Sequence, residues 1–200
     1  MARSKEFEES AVLYKAMQLF WEQGYEKTSM NDLVEHMGIH RRSLYDTFGD
    51  KRTLFLKAME RYGDIINASV TGGVQRSSTA WQAIHYIFDS VIDRDEDSPP
   101  GCMYVNAAVE LASRDAEIDA KAGEGFAKTE QLLADLIRKG QEAGEFAADG
   151  DAGELAETLH NTLLGLRVLA RTSASQEKLR RIANTTLNTQ LLPRQQDGAR

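Results

Sequence analysis

Apolar residues recur at helical spacing along almost the whole chain. Val12, Leu13, Ala16, Leu19 and Phe20 make one stripe on a helix predicted from about Glu6 to Gln23, with Gly24 as its C-cap. Met30, Leu33, Val34 and Met37 fall at i, i+3, i+4 and i+7 on a short second helix. Gly38 then supplies the positive φ of a tight turn, Ile39 plugs it, and a third helix from about His40 turns Leu44 and Phe48 inward. Leu54, Phe55, Ala58, Met59, Tyr62, Ile65 and Ile66 carry a fourth helix from Lys51, which Gly72-Gly73 is expected to stop. Trp81, Ile84, Ile87, Phe88, Val91 and Ile92 mark a fifth, from about Ser77 to Arg94.

The acidic stretch from Asp93 to Pro100 reads as a loop, because its two prolines exclude helix. Gly101-Cys102 leads into a short helix, Met103 to Ala112. Asp115 is placed to cap a long helix carrying Phe126, Thr129, Leu132, Leu133, Leu136 and Ile137 and ending near Gly140 to Gly144. Leu155, Leu159, Leu163, Leu166 and Leu169 define the next, from about Asp151 to Arg171, and the last spans roughly Glu177 to Leu191. Pro193 opens a polar tail, RQQDGAR. No stretch shows strand alternation and all three prolines lie in loops, so the expected fold class is all-α with about nine helices.

Charge changes the picture only when it is divided. The whole chain carries −7, which argues against nucleic acid as a partner. Residues 1–62, however, hold 10 basic and 10 acidic side chains; residues 63–200 hold 14 against 21 and carry the entire excess. An acidic remainder limits indiscriminate DNA binding while leaving a local basic face free to act. There is no apolar run long enough for a membrane span and no apolar signal region in MARSKEFEES. The single cysteine excludes an intrachain disulfide and suits a reducing compartment, so a cytoplasmic protein is expected. Four scattered histidines show no metal-ligand spacing, and no motif asks for a metal or a cofactor.

The candidate chemistry lies between Met30 and Phe48. The third helix turns Arg41, Arg42, Ser43, Asp46 and Thr47 outward, nearly all able to bond a phosphate or a base edge. Thr28-Ser29 is placed to cap the second helix, with Asp32 three residues on but shorter than the Glu or Gln of a full capping box. Two helices, a glycine turn and a polar second helix compose a DNA-reading helix-turn-helix. They equally compose a helical hairpin with a solvated face, the form a protein-partner bundle would take. An enzyme is the remaining class; no nucleophile elbow or glycine-rich phosphate loop is present to support it.

From Val12 to Leu56 the chain resembles the DNA-binding domain of the TetR family of transcriptional repressors. Ala16, Leu19-Phe20, Gly24-Tyr25, Thr28-Ser29-Met30, Leu33-Val34, Gly38-Ile39, Ser43-Leu44-Tyr45, Phe48, Lys51 and Leu54-Phe55 carry the resemblance. It departs at His40, where a Ser or Thr cap is usual, at Arg42, where a small residue is common, and at Thr47, where His or Tyr is common. These departures bear on the operator sequence. The resemblance implies double-stranded operator DNA as partner, a domain boundary near Tyr62 (1–62 for DNA, 63–200 for effector and dimer), and release by a small-molecule effector.

Within that reading the roles separate by chemistry. Thr28, Ser29, Tyr45 and Lys51 are expected on phosphates, Arg41 and Arg42 on guanine edges, with His40, Ser43 and Thr47 as secondary readers. Arg52 is a further cation of either that surface or plain solvent. Trp81, His85, Phe88, Cys102, Tyr104, Asn106, Glu110, Phe126, Glu130, His160, Asn161 and Arg167 are the large or polar residues expected to line an effector pocket, against the plainer reading that the aromatics are core. The last two helices carry more apolar surface than one stripe needs. Leu159, Leu163, Leu166, Ile182 and Leu187 are therefore expected in a homodimer interface. Some TetR-like regulators use a cysteine in the Gly-Cys position to sense electrophiles. The acids upstream of Cys102 disfavour a thiolate, so a reversible pocket ligand is the expected trigger.

Overall fold

A computed structural model describes residues 2–93 and 98–193, so the core of the acidic loop before Cys102 and the tail after Pro193 lie outside the described residues. Nine α-helices and no strand are present among the described residues: α1 Ala2–Gln23, α2 Met30–Met37, α3 Arg41–Phe48, α4 Lys51–Arg76, α5 Ala80–Ile92, α6 Met103–Leu111, α7 Ala116–Glu142, α8 Ala152–Leu169 and α9 Gln176–Leu191. The caps follow the local sequence. Thr79 Oγ1 accepts from Gln82 N at 3.1 Å to start α5, and Asp151 Oδ1 accepts from Gly153 N and Glu154 N at 2.9 and 3.0 Å to start α8. Ser175 does the same for α9, accepting from Lys178 N at 3.3 Å.

Several helix ends shift from the sequence reading: α1 begins at Ala2 rather than near Glu6, α5 begins at Ala80 rather than near Ser77, and the end of α4 moves for a packing reason. α4 does not stop at Gly72-Gly73 but runs on to Arg76. A Cβ at Gly73 would lie 1.8 Å from Cε1 of Tyr86, so this glycine is there to let the Tyr86 ring lie against the helix backbone. Gly140 in α7 does the same for Phe146, whose ring would meet a Cβ at 2.1 Å. A glycine pair inside a helix costs propensity, and here close packing offsets it.

The chain forms two compact units, Met1–Ala68 with Asp95–Gly123, and Ser69–Arg94 with Glu124–Arg200. In the first, α1 to α3 and the start of α4 pack with α6 and the start of α7. Phe20, Leu33, Met37, Leu44, Phe48, Leu54, Phe55 and Met59 are fully buried there. Aromatic rings tie this core together: Phe55 meets Phe20 and Tyr25 edge-on at 5.0 Å, and Tyr62 meets Trp21 at 4.9 Å and Tyr104 at 5.3 Å. Thus α6 and the N-terminus of α7 belong with the N-terminal helices, although they lie well beyond Tyr62 in sequence.

The second unit holds the other core, built from Ile84, Ile87 and Phe88 of α5, Leu133 and Ile137 of α7, Leu159, Leu163 and Leu166 of α8, and Leu179 and Leu187 of α9. Here the expected dimer residues need correcting. Leu159, Leu163, Leu166 and Leu187 are buried in the protomer's own core, while Ile182 is half-buried at its edge. The reason is that α8 packs against both α5 and α9, so its surplus apolar stripe is used within the chain. The outward side of α8 instead presents half-buried Leu164, exposed Gly165 and exposed Val168, with nothing within 4 Å of a Cβ built on Gly165.

Candidate nucleic-acid interface

The turn between α2 and α3 is built from its caps. Ser29 Oγ accepts from Asp32 N at 3.1 Å and Ser29 N donates to Asp32 Oδ2 at 2.8 Å, so the shorter Asp32 completes a capping box after all. The Ser29 hydroxyl first, and then the Ser29 N–H, hold the Asp32 carboxyl below its ordinary pKa. Gly38, at φ 71°, ends α2, and its N–H reaches back to Val34 O and Glu35 O. Lys15 Nζ on α1 adds a 3.5 Å bond to Met37 O. His40 then takes the N-cap position of α3 with extended backbone and no side-chain cap bond, as its departure from Ser or Thr implies. Leu44 and Phe48 anchor α3 inside, each burial contributing about 2 kcal/mol.

Anchoring those two residues turns the opposite side of α3 to solvent. His40, Arg41, Arg42, Ser43 and Tyr45 are all exposed there, and Thr47 is half-buried. The two arginines are held differently. Arg41 Nη1 donates to Asn31 Oδ1 at 3.1 Å and its guanidinium lies 5.9 Å from the Tyr45 ring centre, so its direction is set before any ligand arrives. Arg42 meets Asp46 at 3.6 Å, with side chains 93% and 69% exposed, a pairing that water screens almost entirely. Lys51 Nζ stands 4.2 Å over the Tyr25 ring at the start of α4.

Two expected members of the surface are elsewhere. Thr28 is 0% exposed, and its hydroxyl donates to Gly24 O at 2.6 Å, fastening the α1–α2 connection from within. It cannot reach a phosphate. Arg52 is claimed by acids: its guanidinium bonds both carboxylate oxygens of Asp115, at 2.8 and 2.9 Å, and Glu117 at 2.8 Å. The bidentate pair holds the Asp115 carboxyl down to about 2. Asn31 and Tyr25 were not singled out from sequence as site residues. Asn31 is ten residues from Arg41 and Tyr25 lies before α2, so only the fold brings them to the arginine and the lysine they orient.

The helices after the acidic loop fasten onto this domain. Glu110 of α6 accepts from Tyr25 N and Glu26 N, both at 2.8 Å, capturing the amides of the turn after α1. Arg114 pairs with Glu26 at 3.1 Å, and Asn106 Nδ2 donates to Trp21 O at 3.1 Å. Tyr104 packs over Gly63, its hydroxyl 2.1 Å from where a Cβ would stand. Cys102 is the N-cap residue of α6 and is 2% exposed. Cys102, Tyr104, Asn106 and Glu110 therefore do structural work in the first unit, and the twelve expected pocket residues do not form one set.

The other eight belong to the second unit. Trp81 packs on His85, ring centres 4.5 Å apart, and on Phe146 at 6.2 Å, while Phe88 is core. Asn161 is exposed and Arg167 half-buried. His160 is buried beside Phe126, 5.8 Å between ring centres, with Glu130 Oε2 3.5 Å from its Nδ1. A carboxylate also caps α5 here, Glu145 accepting from Ala80 N and Trp81 N at 3.2 and 2.9 Å. Among the described residues no group of three or more His, Cys, Asp or Glu is placed to hold a metal, and no helix is long and apolar enough to cross a membrane.

Known proteins share this sequence pattern and fold. The family described as "Bacterial regulatory proteins, tetR family" matches residues 12–58, and "Tetracyclin repressor-like, C-terminal domain" matches residues 80–186. The chain is 33% identical over 191 residues to the uncharacterized HTH-type transcriptional regulator YezE of Bacillus subtilis, covering 94% of this chain and 98% of that one. It is 34% identical over 188 residues to the HTH-type transcriptional repressor ComR of Escherichia coli, covering 92% and 90%. A cysteine mutant of the TetR family regulator CifR, solved with 26-bp double-strand operator DNA, superimposes with a TM-score of 0.80 at 28% identity, covering 90% of this chain and 95% of that one. The chain is a member of the TetR family of transcriptional regulators.

Proposed function

We propose that this regulator is a sequence-specific repressor that binds a palindromic operator as a homodimer and leaves it when a small effector binds. The observation that carries the reading is the outward side of α3, where Leu44 and Phe48 are pinned inside and Arg41, Arg42, Ser43 and Tyr45 all face solvent. The CifR relative, solved on its operator, supports it. Arg41 and Arg42 read guanine O6 and N7 in the major groove, with His40, Ser43 and Thr47 beside them. Lys51, Ser29 and the Tyr45 hydroxyl hold phosphates and set the register. Because His40 brings no side-chain oxygen to the first turn of α3, those amides are open to a phosphate oxygen as well.

The homodimer forms through the outward side of α8, at Leu164, Gly165 and Val168, with Ile182 of α9 at its margin. Val168 is 51% exposed and Gly165 leaves room for close approach, the combination a helix-to-helix contact needs. An effector that reaches the second unit acts as the trigger. With Cys102 buried as the N-cap of α6, a thiol adduct is the less favoured alternative. Selection of bound duplexes from a random pool, followed by binding with base-substituted sites, tests the DNA reading. A palindrome must emerge, and each substitution under Arg41 must lower affinity.

A further inference from the structure

His160 has a bond left to make. It sits on α8 at the edge of the second unit's core and is 5% exposed. On one side its Nδ1 faces Glu130 of α7 at 3.5 Å, and Glu130 is itself half exposed, so this side of the ring looks outward. On the other side Nε2 is sealed from solvent and has no hydrogen-bond partner. A buried polar atom left unsatisfied is costly, and natural structures rarely keep one without a use. Phe126, one helical turn before Glu130, lies 5.8 Å from the imidazole and lends an aromatic wall.

The contacts settle what Nε2 can recognise. An ionised carboxylate only accepts hydrogen bonds, so the nitrogen facing Glu130 carries the proton. In a neutral ring the other nitrogen is then a bare lone pair, an acceptor whose orientation the carboxylate fixes. Burial lowers the pKa of the ring most, the Arg167 charge lowers it further and Glu130 opposes both, a balance that favours the neutral ring. Building on the effector reading above, we infer that His160 Nε2 accepts a hydrogen bond from the effector, and that the effector is an apolar molecule bearing an uncharged hydroxyl, a phenol or an alcohol. A carboxylate would meet a lone pair with a second carboxylate behind it. An ammonium could donate to the same lone pair and would be drawn by Glu130, but it would have to shed its water at an atom sealed from solvent and within the opposing field of Arg167. A hydroxyl brings the one proton the site lacks and no charge.

Four probes of one shape separate these chemistries: 4-ethylphenol, its methyl ether 4-ethylanisole, 4-ethylbenzoate and phenethylamine. Binding to the full chain is followed by calorimetry, the His160 ring by long-range proton–nitrogen correlation on histidine-labelled protein, and operator release by fluorescence anisotropy. The unliganded ring should show the neutral form protonated on Nδ1. Ethylphenol should shift the Nε2 resonance, bind about tenfold or more tightly than ethylanisole, and release the operator. His160→Phe should erase the preference for phenol over ether, although the decisive readouts use the unmodified chain and survive if that variant fails to fold. Equal binding of phenol and ether, as a resident water on Nε2 would give, overturns the inference. So does a His160 ring that no probe perturbs, or an imidazolium at pH 7. Operator release by the benzoate or the amine with His160 silent sinks this site while leaving an effector-released repressor standing. Ethylphenol seated on His160 with the operator still bound has the opposite consequence, keeping the site and removing the effector reading.

Discussion

Arg41 and Arg42 are neighbours in sequence with different freedom, and the difference has consequences at the operator. Arg41 is braced by Asn31 and Tyr45, whereas Arg42 has a water-screened contact with Asp46. A braced guanidinium loses less side-chain entropy on binding a base edge. Arg41→Ala should therefore cost about 1–3 kcal/mol and relax the sequence requirement at one position of each half-site. Asn31→Ala should lose a smaller part of the same discrimination, measured by competition between base-substituted duplexes. Lys51→Ala should weaken all sequences alike and lower the salt slope by about one. Loss of discrimination on removing Lys51 would show that the assigned roles are wrong.

At this scale the sequence told unequal amounts. The outward residues of α3 followed from the spacing of Leu44 and Phe48, because a helix fixes which side chains share a face. Thr28 was misplaced for a reason that spacing cannot show: it stands next to a helix start, yet its hydroxyl turns back to Gly24 O. Glu110 and Asn106 were misplaced likewise. Their partners lie about 85 residues away, and nothing local marks a carboxylate that will cap a distant turn.

Among the elements, helix existence was legible throughout and helix ends only where a cap was spelled out. Ser29, Asp151 and Gly38 announce themselves. Gly72-Gly73 announces a stop that does not occur, because Gly73 serves the Tyr86 ring. Gly73→Ala should accordingly destabilise the chain by about 1–3 kcal/mol despite the better helix propensity of alanine, read as a lower melting temperature. A gain in stability would mean the ring is not seated there. The Arg52–Asp115 pair makes a second element-level prediction. Asp115, with a carboxyl pKa near 2, releases its proton more readily folded than unfolded, where the ordinary value is 3.8. Its stabilising contribution is complete above the ordinary value and lost as pH falls through the folded one. Arg52→Gln should flatten acid unfolding between about pH 4 and 2, and an unchanged curve would dismiss the pair as a stabilising contact.

For the molecule as a whole, the packing of the second core explains why α8 and α9 supplied more apolar residues than a single stripe required. The surplus packs on α5, which could not be foreseen from α8 alone. Leu163→Glu should unfold the protomer, since Leu163 is fully buried, whereas Val168→Glu should give a folded monomer by sedimentation. A folded dimer from the second variant would move the interface elsewhere. The acidic excess outside residues 1–62 bears on the same scale, since it disfavours DNA contacts other than those α3 makes. Sequence-specific repression is tested most directly by selection of bound duplexes followed by affinity measurements at physiological salt. A dimeric repressor that reads through α3 selects a palindrome whose half-sites lie about one helical turn, ~34 Å, apart, bound far more tightly than unrelated DNA and weakened at a single position by Arg41→Ala. Equal affinity for unrelated duplexes, or a pool that yields no shared sequence, would contradict it.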